Sequence, residues 1–324
     1  MAGLGKLGLT LAVASLCATM ANAADQRSAA LNQNAVGLLA AEARWMPNAL
    51  EIADSIQHED SLRILPMVGI GAVQAVNDLA FLQSVDAALI PADTVTYAKL
   101  QGLMQGLDGK IAYLARLSQI EFVLVTTIEV NSLTELAGKR VATGPAQSAA
   151  FATGELILGM MEVPFLRVPR QGKAALQALI RGHADAALVT TADIGDMAVD
   201  RARFHVLPLP VPASLEETYV PAILTPDDVP ALIGSGEAIE TVSTSLALAV
   251  FNWPARNQHY DKLRRLSEAL FAASNEISAG GDQPINLSAS IPNLTRHASA
   301  AEVLGLSADG GTTSDNTLQP GDGQ

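Results

Sequence analysis

The sequence predicts an α/β protein whose mostly parallel strands are covered by helices and divided between two lobes. Three observations predict this class. From Asn34 onward, short apolar runs alternate with segments of helical periodicity, which is typical of a parallel sheet with helical crossovers. One strand-and-loop unit recurs in the second half of the chain. The 324 residues, 49% of them hydrophobic, are enough for two domains of ordinary size.

The predicted strands follow one another at intervals that leave room for helices. Each is a short run rich in Val, Ile, Leu or Ala. In chain order they are 35–39, 62–68, 86–90, 111–117, 121–126, 139–143, 165–168, 185–190, 204–207 and 241–251.

Two of the intervening helices have clear ends. Residues 173–181 place four apolar side chains on one helical face and stop before Gly182, a residue suited to the C′ position. A second helix is predicted over 149–161, with Ser148 as its N-cap. Amphipathic helices of this kind need a sheet to lie on, which supports the α/β class.

The recurring unit indicates how the chain is divided. Asp86-Ala87-Ala88-Leu89-Ile90, followed by Asp93, is echoed by Asp185-Ala186-Ala187-Leu188-Val189, followed by Asp193. We interpret the echo as one unit in each of two lobes of related design. The alternative is chance similarity between two Ala-rich units.

The amino end predicts export. Lys6 precedes an uncharged run over 7–19, and Ala21-Asn22-Ala23 offers small residues where a signal peptidase cuts, so cleavage is expected after Ala23. The run is shorter than the roughly 20 residues that cross a bilayer. A lipid anchor on Cys17 and an uncleaved helix are the alternatives. Cys17 is the one cysteine, so no disulfide framework is expected, and the predicted location is the periplasm.

Composition and motif spacing exclude several classes of function. A net charge of −13 disfavours a nucleic-acid partner. The 5 histidines show no spacing typical of metal ligands, and no Gly-x-Ser-x-Gly turn is present. Gly69-Ile70-Gly71 is followed by Gln74 where a dinucleotide fingerprint needs its third glycine. We therefore expect no metal, no cofactor and no enzymatic reaction.

Six segments in one order carry a family resemblance. They are Asn34-Ala35-Val36-Gly37-Leu38; Leu62-Arg63-Ile64-Leu65-Pro66 with Gly71-Ala72-Val73-Gln74-Ala75-Val76-Asn77-Asp78-Leu79; Leu133-Thr134-Glu135-Leu136-Ala137-Gly138-Lys139-Arg140-Val141; Leu179-Ile180-Arg181-Gly182; Glu217-Thr218-Tyr219-Val220-Pro221-Ala222; and Ala249-Val250-Phe251-Asn252-Trp253-Pro254. Over 32–306 the chain resembles the TAXI branch of substrate-binding subunits of tripartite ATP-independent periplasmic (TRAP) transporters.

That resemblance implies a type II periplasmic-binding-protein fold. Lobe 1 is expected to comprise 31–125 and 242–303, lobe 2 is expected to comprise 126–241, and the chain is expected to cross between them near 122–130 and 241–251. Residues 1–23 are expected to form the signal peptide, and 304–324 are expected to form a disordered tail.

The implied function is a monomeric periplasmic receptor. It captures a small organic acid or amino-acid-like anion between its lobes and delivers this solute to transporter membrane subunits. The alternatives are a receptor of an ABC-type transporter, a ligand-presenting sensor of the same fold and a periplasmic enzyme.

The candidate ligand-binding residues lie where strands end and helices begin, because helix N-termini present unpaired N–H groups to an anion. Four loops qualify: 40–48, 69–72, 144–149 and 190–192. The predicted ligand-binding residues are Arg44, Trp45, Gly69, Gly71, Ala72, Asp93, Thr126, Ser148, Ala149, Arg170, Thr190 and Thr191.

Each candidate also has a structural interpretation. Arg44 and Arg170 are suited to a carboxylate, but each is also consistent with a solvated surface arginine. Ser148 is consistent with a helix cap alone, and Gly69 and Gly71 with turns alone. The first and third loops depart from the family, since residues 40–45 replace a glycine-rich turn and two alanines follow Ser148. Another departure is Ser118, which stands where the family often has tyrosine.

Overall fold

The computed structural model describes residues 34–56, 62–103, 106, 109–160, 162–195, 197–278 and 285–306. The predicted signal peptide and most of the predicted tail lie outside these residues. Within them no helix is both long enough and apolar enough to cross a membrane.

Eleven strands form the sheet structure of the described residues. They are β1 (Ala35–Ala40), β2 (Arg63–Val68), β3 (Ala87–Pro91), β4 (Ile111–Thr127), β5 (Arg140–Ala142), β6 (Leu166–Val168), β7 (Ala186–Thr190), β8 (Phe204–Leu207), β9 (Val220–Leu224), β10 (Ile239–Phe251) and β11 (Thr295–Arg296). Every predicted strand is confirmed, two of them as parts of the long strand β4.

The helices connect these strands. They are α1 (Met46–Ile56), α2 (Ala72–Phe81), α3 (Ala92–Leu100), α4 (Ala149–Met160), α5 (Lys173–Ile180), α6 (Thr191–Ile194), α7 (Gln258–Ala272) and α8 (Ala298–Val303). Single 3₁₀ turns occupy Ala43–Trp45, Leu133–Leu136 and Ala213–Leu215. The predicted end of α5 is confirmed, since Gly182 has φ 74° and the His183 N–H donates to the carbonyl of Ala178.

The two lobes have matching strand orders. In lobe 1 the order is β2-β1-β3, with β1 parallel to both neighbours and β10 antiparallel to β3. In lobe 2 the order is β6-β5-β7, with β5 parallel to both neighbours and β4 antiparallel to β7. Each lobe is therefore a mostly parallel sheet that an antiparallel strand completes.

Two long strands join the lobes. β4 pairs with β10 as far as Glu121 and with β7 from Phe122 onward. β10 returns, pairing with β9 up to Ser243 and with β3 from Leu246. These two crossings confirm the two-lobed α/β class that the sequence predicts. The predicted lobe boundary lies at residue 126, and β4 changes its pairing partner earlier, at Phe122.

The sequence echo has a structural counterpart. The carboxylate of Asp86 accepts a hydrogen bond of 2.9 Å from the Gly37 N–H, and that of Asp185 accepts one of 2.9 Å from the Arg140 N–H. Each aspartate, which directly precedes its own strand, thus binds a backbone N–H of the neighbouring parallel strand. The same hydrogen bond, from a backbone N–H to an aspartate carboxylate, is therefore found at the equivalent position in both lobes.

Burial follows from this layering. One apolar cluster fills lobe 1, and two clusters cover opposite faces of the lobe 2 sheet. Successive residues of β4 alternate between the latter two, with Val123 and Val125 in one and Phe122 and Leu124 in the other. Strands buried on both faces account for the continuous apolar runs in the sequence.

Candidate functional site

A cavity of about 470 Å³ lies between the lobes, at the two crossing strands. Lobe 1 contributes the loop after β1, the crossing strands contribute residues 118–122 and Leu246, and lobe 2 contributes the start of α4 and the end of β7. Its volume is within the range of small-molecule sites. The cavity is a pocket that neither lobe forms alone.

An ion pair between the lobes lines this cavity. The Arg44 guanidinium of lobe 1 lies 2.8 Å from the Asp193 carboxylate of lobe 2. Asp193 is held in place by its own lobe, because it also accepts hydrogen bonds from the N–H and hydroxyl of Thr190. Gly172 lies against the pair, where an added Cβ would be 2.8 Å from both Arg44 Nη2 and Asp193 Oδ1. A Cβ at position 172 would displace the ends of these two side chains, and the φ of 55° at this position also favours glycine.

A carboxylate of lobe 1 occupies the N-terminus of a lobe 2 helix. Glu42 Oε1 accepts a 2.7 Å hydrogen bond from the N–H of Ala149, the first residue of α4. Glu42 is only 8% exposed, and its burial raises the pKa of its carboxyl above the usual range. The bond to Ala149 and the charge of Arg44, 3.8 Å away, act in the opposite direction. The protein thus supplies its own anion to the positive end of α4.

Ser148 satisfies another N–H of the same helix turn. Its hydroxyl accepts from the Phe151 N–H at 3.1 Å, which is the geometry of an N-cap. Ser148 is buried and lies outside the cavity wall. Two of the first three N–H groups of α4 are therefore already bonded to Glu42 and Ser148.

The other polar groups of the wall include two acceptors without a partner among the residues that the structure describes. Glu121, half-buried on β4, makes no ion pair within the described part of the chain. Burial, and then the nearby carboxylate of Asp228, raise the pKa of Glu121. The amide oxygen of Gln171 is buried without a hydrogen-bond partner. Gln119 is satisfied, since its amide donates to the Ser243 hydroxyl at 2.7 Å.

A second polar cluster joins the lobes behind the cavity. Asp93, at the start of α3, accepts hydrogen bonds at 2.6 Å from Thr153 of α4 and at 2.9 Å from the Tyr219 hydroxyl. Asp93 is fully buried, and desolvation raises the pKa of its carboxyl to about 6 despite these bonds. Burial likewise raises the pKa of Tyr219 well above its usual value. The carboxylate of lobe 1 is thereby fixed between two hydroxyls of lobe 2.

The structure brings some of the predicted site residues together and leaves others apart. Those in the cavity wall are Arg44, Trp45, Ala149, Thr190 and Thr191. Outside the wall lie Gly69, Gly71, Ala72, Asp93, Thr126, Ser148 and Arg170.

Those outside have other contacts. Gly69 donates its N–H to the Ala40 carbonyl, and Gly71 lies against Gln147 of lobe 2. The hydroxyl of Thr126 bonds to the Val130 carbonyl, and the backbone carbonyl of the exposed Arg170 accepts from the Gly144 N–H.

Sequence reasoning missed the acidic wall. Glu42 and Asp193 both lie in or beside loops that the sequence singled out, and Asp193 is part of the echo. Glu121 lies at the strand crossing. The positions of these acidic residues next to the predicted loops and the strand crossing could have indicated a role in the site. Contacts between the lobes decide which of them binds Arg44 and which binds a helix N-terminus.

The Glu42 contact can be tested by substitution. We expect Glu42→Ala to lower the free energy of unfolding by about 1 kcal/mol, because it leaves the Ala149 N–H without its acceptor. Glu42→Gln keeps an acceptor oxygen and should lose less. Urea unfolding of both variants measures the difference. Equal, unchanged stability of both would show that this bond contributes nothing.

Comparison with known proteins gives structural likeness only. No protein-family model matches the sequence, and no curated protein matches it. Among solved structures, the chain is similar to PhnD1 of Prochlorococcus marinus in complex with methylphosphonate, with 9% identity, a TM-score of 0.46 and coverage of 86% of this chain and 91% of that one.

Two further solved structures show a similar degree of likeness. A TctC solute binding protein from Polaromonas has 16% identity and a TM-score of 0.41 over 78% of this chain and 90% of that one. The periplasmic aliphatic sulphonate binding protein SsuA of Escherichia coli has 15% identity and a TM-score of 0.39 over 85% and 80%. All three TM-scores are below 0.5, so the fold is assigned from the chain's own strand order.

Proposed function

We propose that the chain is a solute-binding receptor that holds a small molecule between its two lobes and performs no reaction on it. The observation that carries this is the cavity of about 470 Å³, whose wall needs both lobes and both crossing strands. A ligand in contact with both lobes stabilises the closed form by its differential affinity for that form. In such a receptor, the closed conformation indicates that a ligand is bound.

The wall is also consistent with binding rather than catalysis. Its ionisable groups are Glu42, Arg44, Glu121 and Asp193, and three of these are tied to each other or to a helix N–H. Within the described residues no group of three or more His, Cys, Asp or Glu is placed to hold a metal ion. The wall offers hydrogen-bonding and apolar surface, which is what a binding site requires.

The setting of this function is a finer proposal. The secretory signal predicted at residues 1–23 supports export to the periplasm, and the family resemblance supports delivery of the solute to the membrane subunits of a TRAP transporter. A receptor of an ABC-type transporter or a ligand-presenting sensor would use the same clamshell. Co-purification with membrane subunits distinguishes these cases.

The test of the receptor proposal is a thermal-shift screen of the chain beginning after Ala23. Carboxylates, amino acids, sulfonates and amines are each added to the protein, and the recovered compounds are examined by mass spectrometry. A receptor should show a raised Tm with an unchanged compound. A chemically altered compound, or no shift with any of the four classes, would contradict the proposal.

A further inference from the structure

The charge of the cavity wall is the first step toward a ligand class. Three carboxylates line it, those of Glu42, Glu121 and Asp193, and one guanidinium, that of Arg44. Charged groups in a low-dielectric cleft focus the local potential and select ligands of the opposite sign. With these groups ionised, the wall carries a net negative charge.

Two groups that would attract an anion, the Arg44 guanidinium and the N-terminus of α4, are already bonded to side chains of the protein. Arg44 is 2.8 Å from Asp193 and 3.8 Å from Glu42. The N-terminus of α4 is bonded to Glu42 and Ser148. A carboxylate ligand that took either place would leave Glu42 or Asp193 without its partner, and a buried unpaired charge is costly.

Within the described ranges, two acceptors of the wall, Glu121 and Gln171, stand without a partner. Glu121 makes no ion pair with any described residue, and Asp228 adds negative potential near it. The Gln171 amide oxygen is buried and accepts no hydrogen bond. An ammonium or guanidinium group supplies N–H donors to both and balances the charge of Glu121.

The aromatic part of the wall suits the same kind of ligand. Trp45 and Phe122 both line the cavity and are 8% and 5% exposed. Aromatic faces attract cations and also pack against an alkyl chain. The wall thus combines acidic acceptors with apolar surface.

From these contacts we propose that the cavity binds a small organic cation, a primary amine or guanidine on a short carbon chain, with its charged group at Glu121 and Gln171. This rests on the proposed receptor function, to which it adds a ligand class. It departs from the anionic solute that the family resemblance implies, because carboxylates of the protein already bind two of the predicted anion positions, Arg44 and the N-terminus of α4.

Isothermal titration calorimetry with matched four-carbon probes tests the proposal. Butane-1,4-diamine, succinate and butane-1,4-diol have the same chain length but are a dication, a dianion and a neutral molecule. Agmatine adds a guanidinium to the same chain. We expect the two amines to bind and the diol and succinate to bind weakly or not at all.

Substitution of Glu121 locates the cation. Glu121→Gln keeps the shape of the side chain and removes its charge, and it should weaken amine binding by roughly tenfold. Glu276→Gln is the matched control, because Glu276 is exposed and outside the cavity wall. Equal affinities in the two variants would overturn the assignment to Glu121.

The outcomes separate this inference from the receptor proposal. Binding of succinate without binding of either amine would overturn the ligand class and leave the receptor standing. Failure of both amines at millimolar concentration also overturns the ligand class. The receptor proposal then depends on the wider thermal-shift screen.

Discussion

An Asp93→Asn variant is expected to be more stable than the parent protein above pH 7 and about equal to it near pH 4. In the folded chain burial raises the pKa of Asp93 from 3.8 to about 6. Well below pH 3.8 the carboxyl is protonated in both folded and unfolded chains. As the pH rises through 6, the folded chain must ionise a fully buried group, so its stability falls.

The size of the effect follows from the two pKa values. A rise from 3.8 to about 6 corresponds to ~3 kcal/mol of stability that is present at low pH and lost by pH 7 or above. Asparagine is neutral at every pH, and its amide oxygen accepts from Thr153 and Tyr219 as the carboxylate does. Its amide nitrogen occupies the position of the carboxylate oxygen that lacks a partner.

The measurement is urea unfolding of both proteins at several pH values between 4 and 8. Asp54→Asn is a suitable control, since Asp54 is exposed on α1. A difference between Asp93→Asn and the parent that does not change with pH would contradict the buried, pKa-raised carboxyl. The result bears on function because Asp93 binds hydroxyls of lobe 2 and so ties stability to lobe contact.

The fold could be predicted because its strands are buried on both faces. Apolar runs such as those of β3 and β7 stand out from the amphipathic helices between them. β4 was predicted as two strands because Ser118 and Gln119 interrupt its apolar pattern. The backbone continues through them and pairs with β10, while residues 118–122 line the cavity. The polar break in the pattern marked part of the cavity wall and not a turn.

β9 was missed for a different reason. Val220–Leu224 contains Pro221, which lowers strand propensity, and most of its residues are not buried. Among the described strands it pairs with β10 alone. Such a strand depends on its partner and carries little apolar signal of its own.

The site was harder to predict than the fold because its chemistry depends on contacts distant in sequence. The N-terminus of α4 was predicted as an anion position, and the structure places an anion there. That anion is Glu42, 107 positions earlier in the chain. Sequence periodicity locates helix ends, but it cannot show which side chain of another lobe reaches them.

Gly71→Ala is expected to hold the lobes apart and to lower the free energy of unfolding by about 2 kcal/mol. An added Cβ at position 71 would lie 2.5 Å from the backbone oxygen of Gln147 and 2.9 Å from its carbonyl carbon. That carbonyl also accepts the Val73 N–H across the lobe boundary at 3.0 Å. Gln147 is itself at φ 75°, so its backbone has little freedom to move away. The clash is therefore relieved by separation of the lobes.

Small-angle X-ray scattering and urea unfolding together test this. Separation should raise the radius of gyration of Gly71→Ala and weaken the binding of any ligand that contacts both lobes. Gly159→Ala makes the same change on the exposed face of α4, where nothing lies within 4 Å of an added Cβ, and there alanine should preserve or slightly raise stability. If Gly71→Ala and Gly159→Ala give the same result in both measurements, the contact between Gly71 and Gln147 does not form in solution. Loss of stability without a larger radius of gyration would instead place the strain within lobe 1. Scattering and unfolding together therefore show whether the contact at Gly71 controls closure of the lobes.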